Sequence, residues 1–162
     1  VASFIMLMRK NDTPFDFDFD KVTEQSKDNP VFYVQYASAR VHSVLRKAAE
    51  AGIDTSDLAS ADMSLASSEA ELALAAKAAE WPRVVEVAAR THEPHRIALY
   101  LYDLASEVHS LWNRGNDDTS LRFLQEDNIP ATQAKIALIV AANVVISHGL
   151  GILGVTPAEE MR

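Results

Sequence analysis

The placement of prolines relative to apolar residues constrains the fold of this chain more than any other feature. Four of the six prolines stand just before segments whose apolar residues recur at steps of three and four. The first turn of a helix tolerates proline, because the N–H groups there lack an intrahelical partner. We therefore predict an all-α protein, a helical bundle whose helices begin near Pro30, Pro82, Pro94 and Pro130.

Two helices carry the clearest apolar faces. The first is predicted to run from Asn29, a good N-cap, to about Gly52, which suits the position after the last turn. The second opens at Pro94 and is expected to stop between Asn113 and Gly115. Their apolar residues step by three and four, so each set shares one helix face. These residues are Val34, Ala37, Val41, Val44, Leu45 and Ala48 in the first helix, and Ile97, Leu101, Leu104, Val108 and Leu111 in the second.

The remaining segments predict two shorter helices, a loop and a central helix. One helix should begin near Ser67 or Ser68 and end at Glu80, where Trp81 and Pro82 separate it from a short helix. Residues 115–129 are mostly polar and favour a loop with one helical turn. The last helix should run from Pro130 to about His148, with the glycines after it ending the helix. It is apolar on most sides, which indicates a central position in the bundle.

The beginning of the chain has a different periodicity. Phe15, Phe17 and Phe19 alternate with aspartates. A period of two is typical of a strand or an extended arm with one apolar face. We therefore expect a short extended N-terminal arm, which could drive self-association if its apolar face were exposed.

Charge and composition exclude several classes of protein. The chain has 162 residues and a formal net charge of -8, so it fits one domain and has no overall positive field to attract nucleic acid. Any RNA contact must come from a local basic or aromatic face. Cysteine is absent, which excludes disulfides and thiolate metal sites, and the first residues do not resemble a secretory signal, so we expect a cytoplasmic location. Residues 136–155 match a bilayer in length but contain polar residues and three glycines, which favours a buried core helix.

Three short motifs resemble ligand-binding sites, but the residues around them argue against that function. The aspartates at 16, 18 and 20 resemble a calcium loop, but Lys21 stands where that loop needs glycine and Lys27 where it needs glutamate. The glycines at 149, 151 and 154 have the spacing of a dinucleotide-binding motif, but only eight residues follow them. His92 and His95 could share a helical turn, yet spacing fixes no third metal ligand, so we predict no metal site.

One face of the first long helix has the chemistry of an RNA contact. Tyr36, Arg40, Ser43 and Lys47 recur at steps of four and three, opposite the apolar face. Aromatic rings stack on unpaired bases, and arginine or lysine binds phosphates. On periodicity alone, an ordinary solvated face with a half-buried tyrosine is favoured over an RNA contact. A second stripe follows Pro94 and also fits a position that meets a neighbouring helix; it consists of His95, Leu99, Tyr102, Ser106, His109 and Asn113.

Four separated motifs, in order along the chain, resemble the C-terminal part of bacterial class I arginyl-tRNA synthetases. Residues 4–20 read FIMLMRKNDTPFDFDFD and resemble the passage from the catalytic to the helical domain. Residues 29–41 read NPVFYVQYASARV and closely resemble the NPV-(F/Y)-YVQYAHAR signature. Residues 93–113 read EPHRIALYLYDLASEVHSLWN and resemble the EPH…YLYDLA…FHSFYN segment. The ending GLGILGVTPAEEM is similar to the family's terminus.

This resemblance implies a helical anticodon-binding domain of the DALR type over residues 21–162, with residues 1–20 a remnant linker from the catalytic domain. It implies arginine tRNA and the catalytic domain of the parent as partners, and no membrane. The parent would be arginine-tRNA ligase, which uses ATP and Mg²⁺. The chain itself shows neither the HIGH nor the KMSKS signature of the catalytic fold, so we expect no catalytic residue and no cofactor in it.

Six RNA-binding residues are predicted, four of them from this resemblance. Tyr36, Trp112, Asn113 and Met161 match motif positions that lie at the anticodon arm in the family, and the helix-face argument adds Arg40 and Lys47 as cations. Several positions depart from the family pattern: Ser3 stands where arginine is expected, Ser38 where histidine is usual, Trp112 where tyrosine is usual, and Arg162 follows the terminal methionine. The alternative is a helical protein-interaction or oligomerisation module without RNA binding.

Overall fold

The fold is a helical bundle. The computed structural model describes residues 2–8, 29–125 and 127–161. No strand occurs in these residues, and the all-α prediction is confirmed. The α-helices are α1 (Ala2–Leu7), α2 (Pro30–Glu50), α3 (Glu69–Ala79), α4 (Trp81–Thr91), α5 (His95–Asp117) and α6 (Ile129–Ile152), with 3₁₀ turns at Leu58–Ser60, Met63–Leu65 and Thr119–Leu121.

Helix α6 lies at the centre of the bundle. It packs against α2, α3 and α5, and Ile136, Ile139, Ile146 and Leu150 are almost fully buried. Its length and apolar composition are those of a membrane-crossing helix, as the sequence also suggested. Its contacts with three neighbouring helices bury part of its apolar surface, as predicted for a core helix, whereas Val144 and Ile152 are exposed.

The predicted start and end of α2 are both confirmed. The Asn29 side chain caps the helix by accepting a hydrogen bond from the Val31 N–H at 3.1 Å. After the last turn Gly52 adopts a φ of +71°, a left-handed conformation that glycine reaches at little cost. The Ile53 N–H then donates to the Ala48 carbonyl at 2.9 Å, which closes the end of the helix.

A capping box fixes the start of α3. Ser68 accepts a hydrogen bond from the Glu71 N–H, and the Glu71 carboxylate accepts one from the Ser68 N–H. Glu71 is buried, and its other carboxylate oxygen pairs with Lys135 of α6. One glutamate therefore both starts α3 and joins it to the central helix.

Helix α5 ends later than predicted. Gly115, expected to stop the helix, lies inside it, and α5 continues to Asp117. The backbone of Arg122 passes within 3.4 Å of where a Cβ on Gly115 would be. This glycine therefore admits the chain that folds back after α5.

Helix α6 also passes through residues that were expected to end it. Gly149 and Gly151 are helical, and the helix ends at Ile152. A Cβ on Gly149 would lie 2.6 Å from Cδ2 of Leu101, so glycine here permits the close approach of α5 and α6. Gly154 then takes the left-handed conformation, with a φ of +69°.

The first described residues form a helix that the sequence did not predict. Phe4 of α1 is fully buried, and α1 packs against α2 and α5. The side chain of Ser3 lies outside the described part of the structure, as do Arg162, the calcium-like aspartates and the extended arm predicted from Phe15, Phe17 and Phe19.

Candidate nucleic-acid interface

A cleft of about 400 Å³ opens between α2, α5 and the segment that follows α6. We call it the Arg40 cleft. Four of the six predicted RNA-binding residues line it: Tyr36, Arg40, Trp112 and Met161. The other lining residues are Ala39, Ser43, Arg46 and Glu160.

The guanidinium of Arg40 lies between two aromatic rings. Its Cζ is 4.5 Å from the centre of the Tyr36 ring and 5.0 Å from the centre of the Trp112 ring. Tyr36 and Arg40 are four residues apart on α2 and thus share one face, and Trp112 faces them from α5. Both distances lie within the range of a cation–π interaction, so the rings hold the cation at the cleft wall.

The guanidinium of Arg40 is hydrogen-bonded to His109. Nη1 of Arg40 is 3.0 Å from Nδ1 of His109, and Nε2 of His109 is 3.0 Å from the Tyr33 carbonyl oxygen. A carbonyl only accepts and a guanidinium only donates hydrogen bonds. His109 therefore carries its proton on Nε2, donates to Tyr33, and accepts from Arg40 through Nδ1. The imidazole is neutral in this arrangement.

The surroundings of His109 favour that neutral form. Burial lowers the pKa of His109 and so does the positive charge of Arg40, whereas the hydrogen bond to the Tyr33 carbonyl raises it; the net effect is a lowered pKa. The ring of Tyr33 meets the imidazole at 4.5 Å and stacks on Tyr102 at 4.8 Å. These aromatic contacts hold the imidazole of His109 in place beside Arg40.

Sequence reasoning missed the role of His109. It placed His109 on a polar stripe of α5 that meets a neighbouring helix, and His109 does meet α2 in the structure. Its partners lie 69 and 76 residues away along the chain. No local spacing could identify them.

The segment after α6 closes the cleft. The amide of Gln35 donates to the Thr156 carbonyl at 2.8 Å, and Arg46 lies 3.7 Å from a carboxylate oxygen of Glu160. These contacts tie the segment to α2 and bring Met161 to the cleft. Arg46 is thus a second cation at this site that the sequence analysis did not select.

The two arginines differ in their charge compensation. Arg46 is paired with Glu160. For Arg40, the described residues provide no carboxylate oxygen within 4.0 Å of the guanidinium.

Lys47 and Asn113 lie outside this cleft. Lys47 lines a smaller neighbouring cavity of about 180 Å³ together with Arg122 and Phe123, and Trp112 forms a wall of both cavities. Arg122 is held there by a hydrogen bond of 3.0 Å from its Nε to the Gly115 carbonyl, and the sequence analysis did not select it. Asn113 is exposed beside Trp112 and lines neither cavity.

Ser38, which stands where the family motif usually has histidine, lies in the core and not in the cleft. Its side chain is fully buried, and its hydroxyl oxygen has no hydrogen-bond partner among the described residues. At this position the serine provides no contact surface for a ligand.

The two histidines considered as metal ligands occupy a helix end and a helix start. His92 takes a left-handed conformation with a φ of 55° after α4, and His95 begins α5. In the described residues no three histidine, aspartate or glutamate side chains come together as a metal site would require.

By its fold, this helical bundle belongs to the class of helical domains found in arginyl-tRNA synthetases. A structure described as an arginyl-tRNA synthetase from Campylobacter jejuni matches 98% of this chain and 32% of that chain, with a TM-score of 0.82 at 24% identity. The arginyl-tRNA synthetase of Thermus thermophilus matches 98% of this chain and 26% of its own, with a TM-score of 0.73 at 26% identity.

Within that class, the chain belongs to the DALR anticodon binding domain family, whose model matches residues 34–161. Arginine–tRNA ligases from Ruegeria pomeroyi, Cereibacter sphaeroides and Paracoccus denitrificans are each 68% identical to it over its full length. The chain spans 28% of the length of these relatives. The resemblance to arginyl-tRNA synthetases seen in the sequence is confirmed.

Proposed function

We propose that the Arg40 cleft binds the anticodon arm of arginine tRNA. In this proposal unpaired bases stack on Tyr36 and Trp112, Arg40 binds phosphate or a base edge, and Met161 packs against the bound nucleotide. Lys47 and Asn113 extend the contact on the far side of Trp112.

The observation that carries the proposal is the uncompensated guanidinium between two rings. A chain with a net charge of -8 places a cation and two aromatic rings in one cleft, and its described residues offer that cation no carboxylate partner. Tyr36 is 43% exposed, which leaves ring surface for a base. An arrangement of this kind suits RNA, which offers flat bases and phosphates together.

The smaller cavity supports a second contact with the same RNA. Lys47 and Arg122 are both exposed, and in the described residues neither has a carboxylate oxygen within 4.0 Å. The cavity shares Trp112 with the Arg40 cleft. A strand of RNA that enters the cleft could therefore meet two further cations next to it.

Substitution of the two rings tests the proposal. Stacking contributes about 1 to 3 kcal/mol per base, so Tyr36→Ala and Trp112→Ala should each weaken binding of arginine tRNA by about 5- to 150-fold. Tyr36→Phe and Trp112→Phe keep a ring and serve as matched controls that should bind nearly as the wild type. A folded Tyr36→Ala, Trp112→Ala double variant with wild-type affinity would refute the site.

Salt dependence tests the two cations of the smaller cavity. Each phosphate contact on single-stranded RNA contributes about 0.7 to the slope of log affinity against log salt concentration. The Lys47→Gln, Arg122→Gln variant should lower that slope by about 1.4. An Arg83→Gln, Arg90→Gln variant makes the same charge change on α4 and should leave the slope nearly unaltered. Equal slopes for both variants would mean that only net charge matters.

The rival hypothesis is a helical interaction module that does not bind RNA. Sedimentation of the chain with and without tRNA separates the two functions. RNA binding predicts a tRNA-dependent complex, whereas concentration-dependent self-association that ignores tRNA would favour the rival.

Proposals about the whole protein follow from the relatives. Activation of arginine with ATP and Mg²⁺, transfer to tRNA, and a cytoplasmic location are proposed for a protein of the relatives' full length, with its catalytic domain as a partner of this bundle. We propose that this bundle adds RNA binding and no catalytic residue. Its described residues contain no cluster of three potential metal ligands.

A further inference from the structure

We propose that His109 is a positioning residue for RNA binding: in its neutral form it holds Arg40 between Tyr36 and Trp112, and its protonation releases Arg40 and weakens binding. This inference rests on the proposed function of the Arg40 cleft. It adds a residue that does not line the cleft, and it predicts a dependence on pH that stacking and phosphate contacts alone do not require.

The hydrogen bonds of His109 determine which of its ring nitrogens carries the proton. The Tyr33 carbonyl needs a donor at Nε2, and Arg40 needs an acceptor at Nδ1, each across 3.0 Å. His109 is 5% exposed, and the Tyr33 ring packs against it. It therefore cannot turn toward water while these contacts last, and it presents a lone pair to Arg40.

Protonation would replace that lone pair with a donor. Nδ1–H would then face a guanidinium N–H across the same short distance, and two positive charges would lie side by side in a mostly buried space. The hydrogen bond could not form. Arg40 would lose the contact that orients it, although the rings of Tyr36 and Trp112 would remain.

The charged and titratable groups around His109 support this behaviour. On α2, the groups that face His109 are Arg40, Tyr33 and Tyr36. Residues 2–7 of α1 include no titratable side chain. Across the cleft, Glu160 is paired with Arg46. On α6, Lys135 pairs with Glu71, and His148 accepts a hydrogen bond from Trp81. No anion in the described part of the chain is thus placed to stabilise an imidazolium at His109. Burial also lowers the pKa of His109 from its ordinary value, so the neutral form is present at neutral pH.

Two substitutions separate positioning from simple packing. His109→Gln supplies an amide that can donate to Tyr33 and a carbonyl oxygen that can accept from Arg40, and it does not titrate. His109→Phe keeps a flat ring against Tyr33 but removes the acceptor. At pH 7.5 the glutamine variant should bind arginine tRNA within about twofold of the wild type, and the phenylalanine variant about tenfold more weakly.

Affinity measured from pH 7.5 to pH 5.5 at constant ionic strength tests the proposal. The wild type should lose affinity relative to His109→Gln as the pH falls, since only the wild type can be protonated there; because the pKa of His109 is lowered from its ordinary value, the loss at pH 5.5 should be less than about tenfold. His148→Gln is the matched control: its ring also accepts a hydrogen bond through Nδ1, from Trp81 at 3.2 Å, but on another side of the bundle. This control should keep the wild-type pH dependence.

Three outcomes would overturn the inference. They are an identical pH dependence in the wild type and His109→Gln, wild-type affinity in His109→Phe, and a free-protein ¹⁵N spectrum of His109 with the proton on Nδ1. The spectrum needs no RNA. If the wild type does not bind tRNA at pH 7.5, the proposed function fails, while the spectrum still decides how His109 holds Arg40.

Discussion

Two basic side chains of the described residues, Lys135 and Arg40, differ in how the protein compensates their charge. Lys135 of α6 is 5% exposed and forms an ion pair with Glu71, itself 2% exposed. Arg40 of α2 is half-buried, and its hydrogen-bond partner is the neutral His109. One cation is neutralised inside the protein, and the other is only oriented.

The difference follows from the cost of burying charge. A charge fully removed from water loses several kcal/mol of hydration and requires an opposite charge with good hydrogen bonds. Burial raises the pKa of Glu71, but the hydrogen bonds from Lys135 and Ser68 outweigh it and leave the pKa lowered. Arg40 keeps contact with the open cleft, so it needs no carboxylate. A neutralised pair can only support the fold, whereas an oriented free charge can bind an anion.

The largest expected effect comes from breaking the ion pair between Glu71 and Lys135. Glu71→Ala leaves Lys135 buried without its partner and removes the capping box of α3. We expect the free energy of unfolding to fall by about 3 to 5 kcal/mol, as measured by denaturant titration.

An apolar replacement of both partners is the control for this loss. Glu71→Leu with Lys135→Met should recover most of the stability, because neither charge then remains buried alone. Since the pKa of Glu71 is lowered, the pair contributes its stability above the unfolded pKa of about 4.3 and loses it as the pH falls through the folded pKa. The wild type should therefore lose more stability below about pH 4.3 than the double variant. A parallel loss in both proteins would contradict this account of the ion pair.

The second prediction concerns the loss of Arg40, the partner of His109. Arg40→Ala should lower the free energy of unfolding by about 1 to 3 kcal/mol, less than Glu71→Ala, because the buried acceptor left behind is a neutral imidazole and not a charge. Binding of arginine tRNA should weaken by about 1.5 to 3 kcal/mol, roughly 10- to 150-fold, the range of a hydrogen bond to a charged group. Titration with tRNA and denaturant unfolding of the same preparation measure the two effects.

Arg46→Ala is the matched control for Arg40. Arg46 lines the same cleft but is exposed and paired with Glu160, so its loss should reduce affinity less than the loss of Arg40. If Arg40→Ala destabilised the fold as much as Glu71→Ala, the contrast between Arg40 and the ion pair would be wrong.

The sequence predicted the helices well because their signals are local. Asn29 and Gly52 mark α2 through hydrogen bonds with neighbours a few residues away, and the step of apolar residues follows the helical repeat. The end of α6 was wrong for the opposite reason. The sequence analysis interpreted Gly149 as a helix end, but the glycine is needed because Leu101 of α5 occupies the space of a Cβ, a contact 48 residues away along the chain.

The candidate site could be predicted only in part for the same reason. Tyr36 and Arg40 share a helix face, and motif likeness added Trp112 and Met161, so four of the eight residues that line the cleft were selected. The geometry that joins Arg40 to His109 and Glu71 to Lys135 spans 69 and 64 residues, and it depends on how the helices pack. Sequence periodicity has no information on such pairs.

The smallest expected effect tests whether a buried polar group stabilises the fold only when it has a hydrogen-bond partner. Ser38 lies two residues before Arg40 on α2, fully buried, and its hydroxyl has no hydrogen-bond partner among the described residues. An unpaired buried hydroxyl does not stabilise the fold, and alanine is the better helix former by about 0.5 kcal/mol. Ser38→Ala should therefore leave the free energy of unfolding unchanged or raise it by up to about 1 kcal/mol, with unchanged tRNA affinity. A loss of stability above about 1 kcal/mol would show that the hydroxyl is paired in solution, and it would place Ser38 with Glu71 and Lys135 among the polar groups that hold the bundle together.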